Sequence, residues 1–146
     1  MAYIRTTLAA LTLGAITLSP AFAEPMHKVA IHVDEEKLST MNMALNNAQN
    51  IAKHYADLGQ EVAIEIVTYG PGLHMLRADT SPVKDRIAMM DLELDNISFS
   101  ACLNTVQAMQ QTTQTDITLI DEATVVPSGA VRLMELQEQG YSYLRP

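Results

Sequence analysis

The chain of 146 residues has no tryptophan, only 5% aromatic residues, one cysteine and little positive charge. Nine Lys and Arg stand against 17 Asp and Glu, for a formal net charge of −8. Such a surface repels nucleic-acid phosphates and anionic membranes, and few aromatic rings are present to stack on bases or sugars. The hydrophobic content of 48% predicts a compact globular protein with one sizeable core.

The amino-terminal residues have the pattern of a secretory signal peptide. Arg5 precedes an apolar stretch over residues 8–18, Ser19 and Pro20 interrupt it, and Ala21-Phe22-Ala23 has the small-x-small form of a cleavage site. The apolar stretch is too short to span a bilayer comfortably. We therefore predict a signal peptide over residues 1–23, cleavage after Ala23, a periplasmic or secreted product without a retained membrane anchor, and one domain over residues 24–146.

Strand and helix patterns alternate along the rest of the chain. Short apolar, β-rich runs predict strands over residues 28–33, 61–69, 97–101, 123–126 and 141–144. Apolar spacings of three and four, with turn and capping residues, predict helices over residues 38–58, from Ser81-Pro82 to about residue 94, over 103–110 and from Ser128-Gly129 to Gly140. The segment 73–80 is predicted to be a helical turn plus loop, 111–116 a loop, and 117–120 is ambiguous.

This alternation predicts an α/β fold. We expect a single three-layer domain of flavodoxin-like or Rossmann-like type, with a mostly parallel sheet of about five strands and helices on both faces. The first strand is expected at the centre of the sheet. Asp34, Gly70-Pro71-Gly72, Cys102 and Pro127-Ser128-Gly129 would then lie at the carboxyl edge of the strands, where ligands and reactive groups gather in such folds.

Cys102 is the best candidate for chemistry because it lies between a predicted strand and a predicted helix. The positive end of a helix dipole favours the thiolate, which is the reactive form of cysteine. A single cysteine cannot form an internal disulfide, so it is kept for reactivity or intermolecular pairing, or it is an inert buried residue. Asn104 and Thr105, in the first turn of that helix, have side chains that can hydrogen-bond the sulfur or simply cap the helix.

Two rival sites are weaker. His32 and His74 are expected near Cys102, and a Cys/His₂ set suits copper or zinc, but the spacing matches no compact metal motif. The glycines Gly70 and Gly72 do not form a phosphate-binding loop, because the G-x-G-x-x-G pattern and a P-loop lysine are missing there. We expect them to fix a tight turn beside the thiol. We therefore expect no resident metal and no cofactor.

The chain resembles short secreted relatives of the DsrE/DsrF-like family. The resemblance is carried by Ala44-Leu45-Asn46-Asn47-Ala48, by the strand and turn Ile64–Gly72, by Ala101-Cys102-Leu103-Asn104-Thr105 and by Val126-Pro127-Ser128-Gly129. The closing Gln139-Gly140-Tyr141-Ser142-Tyr143 also fits. One residue departs from the pattern: Leu103 stands where the family often has glycine, which narrows the space around the thiol.

The resemblance implies a Rossmann-like fold, homo-oligomers such as trimers or hexamers, and a cysteine that carries sulfur as a persulfide. That role maps onto Cys102, with supporting positions at Asn104, Thr105, Gly70, Gly72, His32 and His74. The implied partners are a sulfur donor or acceptor protein or a small sulfane-sulfur compound. A secreted protein cannot join a cytoplasmic tRNA-modifying relay, so the fold is implied more strongly than the pathway. The alternatives are an oligomeric binding module with a structural cysteine and, less favoured, a soft-metal site of Cys, His and Met.

Overall fold

A computed structural model describes residues 27–146 of the chain. The signal peptide predicted for residues 1–23, and the start of the domain at residue 24, lie outside the described residues. Within residues 27–146 no helix is both long and apolar enough to cross a membrane.

Strands and helices alternate along the described part of the chain. The elements in order are β1 (His27–Val33), α1 (Leu38–Asp57), β2 (Val62–Thr68), a 3-10 helix (Gly70–Leu76), α2 (Lys84–Glu93), β3 (Ile97–Cys102), α3 (Leu103–Thr113), β4 (Ala123–Val126), α4 (Gly129–Glu138) and β5 (Ser142–Leu144). The five strands form one sheet in the order β4-β3-β2-β1-β5, and all neighbouring strands are parallel. The predicted fold class is confirmed.

The two faces of the sheet are covered by different helices. On one face, residues of α1, α2 and α3, including Met41, Ile87 and Val106, pack with alternate strand residues such as Ile31 and Phe99 into the larger core cluster. On the other face, Leu133 and Leu136 of α4 pack against Ala30 and Val67. Since side chains of a strand alternate between faces, His32, Glu65, Ser100 and Cys102 belong to the α4 face. Polar groups on buried strands are therefore concentrated under one helix.

The strand order corrects one expectation. β2, not β1, is the central strand, and β1 lies between β2 and β5. The chain steps in one direction from β1 to β4, and α4 then carries it back across the opposite face to place β5 beside β1. A returning crossover of this kind leaves little trace in the local sequence.

The start of α2 is a second correction. The helix begins at Lys84, not at Ser81-Pro82. The hydroxyl of Ser81 donates to the carbonyl of Met75 at 2.6 Å and accepts the N–H of Val83 at 3.3 Å, so it closes a turn that precedes the helix. Val83 then departs from helical conformation, at φ −125° and ψ 10°, so the regular helix starts at the next residue.

The helix α3 is longer than predicted. It continues to Thr113, and its polar end was predicted to be a loop. The hydroxyls of Thr112 and Thr113 donate to the carbonyls of Ala108 and Met109, and Gln114 ends the helix in the left-handed conformation at φ 55°. In the ambiguous segment 117–120, Leu119 forms an isolated antiparallel bridge with Arg77.

Candidate functional site

The candidate site lies where the connections of two neighbouring strands leave on opposite faces of the sheet. After β3, α3 packs on the face of the larger core cluster, whereas after β4, α4 packs on the other face. In open α/β sheets a crevice forms at the carboxyl ends of such a strand pair. Cys102 is the last residue of β3, and it pairs with Val126 at the end of β4. The fold thus places the single thiol between the amino-terminal ends of two helices.

Cys102 is buried, with 4% of its surface exposed, and it occupies the N-cap position of α3. Leu103 follows as the first helical residue and is 37% exposed, so the side chain beside the buried thiol reaches the surface. As an N-cap, Cys102 makes no side-chain capping hydrogen bond of ordinary geometry. Polar hydrogens around a neutral thiol interact weakly, and the same contacts strengthen when the sulfur becomes an anion.

The surroundings of the sulfur favour the thiolate. Burial alone raises the pKa of Cys102, but hydrogen bonding from the Thr105 hydroxyl and from the backbone N–H groups of Gly129, Thr105 and Asn104 outweighs it and lowers the pKa below its ordinary value. The first turns of α3 and α4 thus both lie beside one sulfur, so the positive ends of two helix dipoles are close to it. The anion is stabilised by dipoles and needs no cationic side chain to form.

Thr105 connects the thiol to the glycine-rich turn after β2. Its Oγ accepts the backbone N–H of Gly70 at 3.0 Å, which leaves the hydroxyl hydrogen free to face the sulfur. Gly70 adopts φ +53°, a conformation in which glycine has no steric penalty. The side chain of Asn104 is exposed, and the contribution of this residue to the sulfur comes from its backbone.

Gly129 allows α4 to begin directly against the thiol. A Cβ atom at this position would lie 2.8 Å from Cδ1 of Tyr69 and 3.3 Å from Cβ of Cys102. A larger residue here would require Tyr69 or the first turn of α4 to move. Ser128, which precedes it, caps the helix by accepting the N–H of Val131.

Gly72 has a similar packing role at the other side of the turn. A Cβ atom there would overlap the backbone carbonyl of Val33 and would lie 2.8 Å from Cα of Asp34. The 3-10 helix that contains Gly72 thus rests on the end of β1. The glycine-rich turn holds Thr105 through Gly70 and β1 through Gly72.

His32 lies in an aromatic cluster beside the site. Its ring stacks on Tyr69 with centroids 4.5 Å apart, and its Nδ1 is 2.7 Å from the hydroxyl of Tyr143. Within the described chain its Nε2 is a buried atom without a hydrogen-bond partner, 4.0 Å from a carboxylate oxygen of Asp34. Burial lowers the pKa of His32 more than Asp34 raises it, so the ring is neutral near pH 7. Tyr69 separates His32 from the Gly129 side of the thiol.

His74 faces a different environment. Its Nδ1 is 3.1 Å from the Thr80 hydroxyl, and its Nε2 is 3.7 Å from a carboxylate oxygen of Glu36. Both His74 and Glu36 line an open groove of about 580 Å³ that also includes Thr105 and Met109. Across residues 27–146, no three His, Cys, Asp or Glu side chains are placed to hold a metal ion together.

Sequence reasoning missed three contributors on the α4 side. The sequence predicts Gly129 at a helix start on the same edge as Cys102 but not its close approach to the thiol, and it assigns no role to Glu65 or Arg132. Glu65 is 5% exposed, and both its carboxylate oxygens accept from the guanidinium of Arg132 at 2.7 Å. An acidic residue inside the apolar run VAIEIVT is the sequence signal for such a partner, because a buried carboxylate needs one.

Comparisons with known proteins agree with this architecture. The sequence pattern of the DsrE/DsrF-like family matches residues 18–146. A solved structure of a protein of unknown function from Methanobacterium thermoautotrophicum is similar, with 30% sequence identity and a TM-score of 0.69. The similarity covers 82% of this chain and 99% of that one. No curated protein matches the chain.

Proposed function

The chain belongs to the DsrE/DsrF-like family, which is related to sulfur relay, and on that premise we propose that it is a periplasmic carrier of sulfane sulfur. In this proposal Cys102 accepts sulfur as a persulfide and passes it to an acceptor thiol. Family membership supplies the class of chemistry, and the single cysteine supplies the atom. The periplasmic location rests on the predicted signal peptide over residues 1–23.

One observation carries the proposal: the amino-terminal turns of α3 and α4 converge on the Cys102 sulfur. The Thr105 hydroxyl and three backbone N–H groups lower the pKa of the thiol in spite of its burial. A structural cysteine gains nothing from such an arrangement, whereas a nucleophile gains thiolate. A lowered pKa also makes a sulfur a better leaving group in exchange reactions.

Loading is an exchange reaction in which no net oxidation or reduction takes place. The Cys102 thiolate attacks the sulfane sulfur of a donor such as a hydropersulfide, a polysulfide or thiosulfate, and a new S–S bond forms on Cys102. The old S–S bond breaks, and its electron pair leaves with the donor thiolate, or with sulfite when thiosulfate is the donor. No external oxidant or reductant is required.

Unloading is the same exchange in the opposite sense. An acceptor thiolate attacks the terminal sulfur of the Cys102 persulfide, and the Cys102 sulfur departs with the bonding pair as a thiolate. The groups that stabilise the resting thiolate also stabilise it as the leaving group. A second cysteine in this chain is not needed, because donor and acceptor are other molecules.

Self-association is part of the proposal. Val131 and Met134, on the outer side of α4, are 50% and 61% exposed. The helix that begins beside the thiol therefore presents an apolar surface to solvent. We propose a homo-oligomer, a trimer or a hexamer. Light scattering on the mature protein measures the subunit number directly, and a monomer at micromolar concentration would contradict this part.

The test of sulfur carriage is a mass measurement. The mature protein, residues 24–146, is incubated with polysulfide or with thiosulfate, and its intact mass is recorded beside that of Cys102→Ser. We expect the wild type to gain one sulfur atom, the gain to be removed by dithiothreitol, and the variant to gain none. A thiol that neither gains sulfur nor reacts with an alkylating agent in the native protein would refute the proposal.

Burial of the thiol favours a second candidate. A cysteine with 4% of its surface exposed fits a structural residue in an oligomeric binding module. In that case Cys102→Ser would leave oligomerisation and ligand binding intact, and the wild-type thiol would stay unmodified in the mass experiment. The same two proteins therefore separate the two functions.

A further inference from the structure

The pair formed by Glu65 and Arg132 is the main polar connection between the sheet and α4. The Arg132 Nε and Nη2 atoms donate to the two Glu65 oxygens at 2.7 Å each, and the Ser100 hydroxyl donates to Glu65 at 2.6 Å. Glu65 lies on the central strand and is buried. All its oxygens are engaged, so the buried charge is fully compensated.

Stability alone does not explain a buried ion pair at this position. Apolar side chains of similar volume often replace such pairs without loss of stability. What a bidentate guanidinium–carboxylate contact adds is direction, because both hydrogen bonds form only at one orientation. The other anchors of α4, Leu133 and Leu136, make apolar contacts, which resist sliding and rotation of the helix less.

The orientation of α4 matters at its first residue. Arg132 follows Gly129 by three residues, less than one helical turn, so a shift at Arg132 is transmitted to Gly129 along a rigid backbone. Gly129 lies so close to Cys102 and Tyr69 that a Cβ atom would be 3.3 Å from Cβ of Cys102, and its backbone N–H is one of the groups that lower the pKa of the thiol. A displacement of a few tenths of an ångström there weakens a hydrogen bond to the thiolate.

We infer that Glu65 and Arg132 are positioning residues that hold the amino-terminal turn of α4 against Cys102 and so set the reactivity of a thiol that they do not touch. This role rests on the proposed function, because such tuning matters only for a thiol that reacts. In this role, residues of β2 and α4 influence the reactivity of Cys102 from outside the glycine-rich turn and α3.

Charge-conserving variants test the inference. Arg132→Lys keeps the positive charge but cannot make the bidentate contact, and Glu65→Asp withdraws the carboxylate by one methylene group. The full mature protein is titrated by ultraviolet thiolate absorbance, with each variant corrected by the same variant carrying Cys102→Ser. We expect both variants to raise the pKa of Cys102, so that the thiolate fraction below the midpoint falls about threefold or more.

Controls separate positioning from charge and from stability. Lys53→Arg, in the exposed pair with Asp57, is the matched substitution and leaves the titration unchanged. The double variant Glu65→Met with Arg132→Met keeps apolar contact and folding, yet it raises the pKa of Cys102, because the directional contact is gone. Unfolding in urea, measured for every variant, shows that each is folded at the pH of the titration.

Two results would overturn the inference. If the folded Arg132→Lys and Glu65→Asp proteins show the same pKa of Cys102 as the wild type, the pair does not position the site. A wild-type midpoint in the folded double variant would show that packing alone suffices. The titration uses no sulfur donor, so the two failures are distinguishable: a wild type that titrates at a lowered pKa but gains no sulfur contradicts sulfur carriage, whereas the effect of the pair on the thiolate is read from the variants alone.

Discussion

Replacement of Thr105 by valine removes one specific interaction while the shape of the side chain is kept. The Thr105 hydroxyl accepts the N–H of Gly70 at 3.0 Å and faces the Cys102 sulfur with its hydrogen. Valine can do neither. The variant therefore deprives the thiolate of its strongest hydrogen-bond donor and leaves Gly70 without its side-chain acceptor.

The size of the effect follows from the charge on the acceptor. A hydrogen bond to a charged group contributes about 1.5–3 kcal/mol, and the lower end applies here because Thr105 is only partly buried. At about 1.4 kcal/mol for each factor of ten, the thiolate fraction below the midpoint falls roughly tenfold. The orphaned N–H of Gly70 lowers the free energy of unfolding by about 1 kcal/mol in addition.

The assay is the rate of iodoacetamide alkylation of the native protein as a function of pH, since only the thiolate reacts. The plateau at high pH reports access to Cys102, and the midpoint reports its pKa. Thr105→Ser retains the hydroxyl and keeps the wild-type midpoint, and Asn104→Ala does too, because Asn104 acts through its backbone. The reasoning is refuted if the valine and serine variants share one midpoint.

Three further outcomes are expected. Gly129→Ala introduces a methyl group against Tyr69, lowers the free energy of unfolding by about 1–3 kcal/mol in urea titrations and raises the pKa of Cys102. Gly72→Ala meets the backbone of Val33, which cannot yield as a side chain would, and costs at least as much stability in the same assay. Burial lowers the pKa of His32 below 6.5, so the unfolded chain binds the proton more readily than the folded one. The free energy of unfolding therefore falls as pH drops below about 6.5. His32→Phe reduces this pH dependence in unfolding experiments between pH 7 and pH 5.

Each of these outcomes has a control or a result that would contradict it. Gly59→Ala, at φ +67° and remote from the thiol, costs stability but leaves alkylation unchanged, whereas equal thiol effects in both alanine variants would contradict the role of Gly129. Equal stability of Gly72→Ala and the wild type would mean that the turn yields easily. For His32, an acid slope that persists unchanged in His32→Phe would contradict its assignment to this histidine.

Local patterns predicted most of the fold because they are set by neighbouring residues. The strand over residues 123–126, the helix start at Ser128-Gly129 and the junction of β3 with α3 at Cys102 all follow from short-range apolar periodicity and capping. The start of α2 did not follow, since Ser81 closes a turn with Val83 and Val83 is not in helical conformation. Whether a serine caps a helix or closes a turn depends on the tertiary contacts of the neighbouring residues.

The position of Cys102 at the carboxyl edge of the sheet, where β3 meets α3, was predictable from the sequence. The contacts of Thr105 with Gly70 and of Gly129 with Tyr69 depend on how the ends of three strands pack. They join residues far apart in the sequence, so local patterns do not predict them. Glu65 was the detectable omission. A carboxylate inside an apolar strand predicts a buried basic partner, although not which of the arginines it is.

The convergence of two helix ends on one sulfur also makes Cys102 a reporter of completed folding. Its environment is drawn from the turn at Gly70, from the start of α3 and from Gly129, near the end of the chain. The contribution of Gly129 to the pKa of Cys102 is absent until β4 and α4 have docked on the sheet. Detachment of α4 alone therefore moves the pKa of Cys102 back towards its ordinary value.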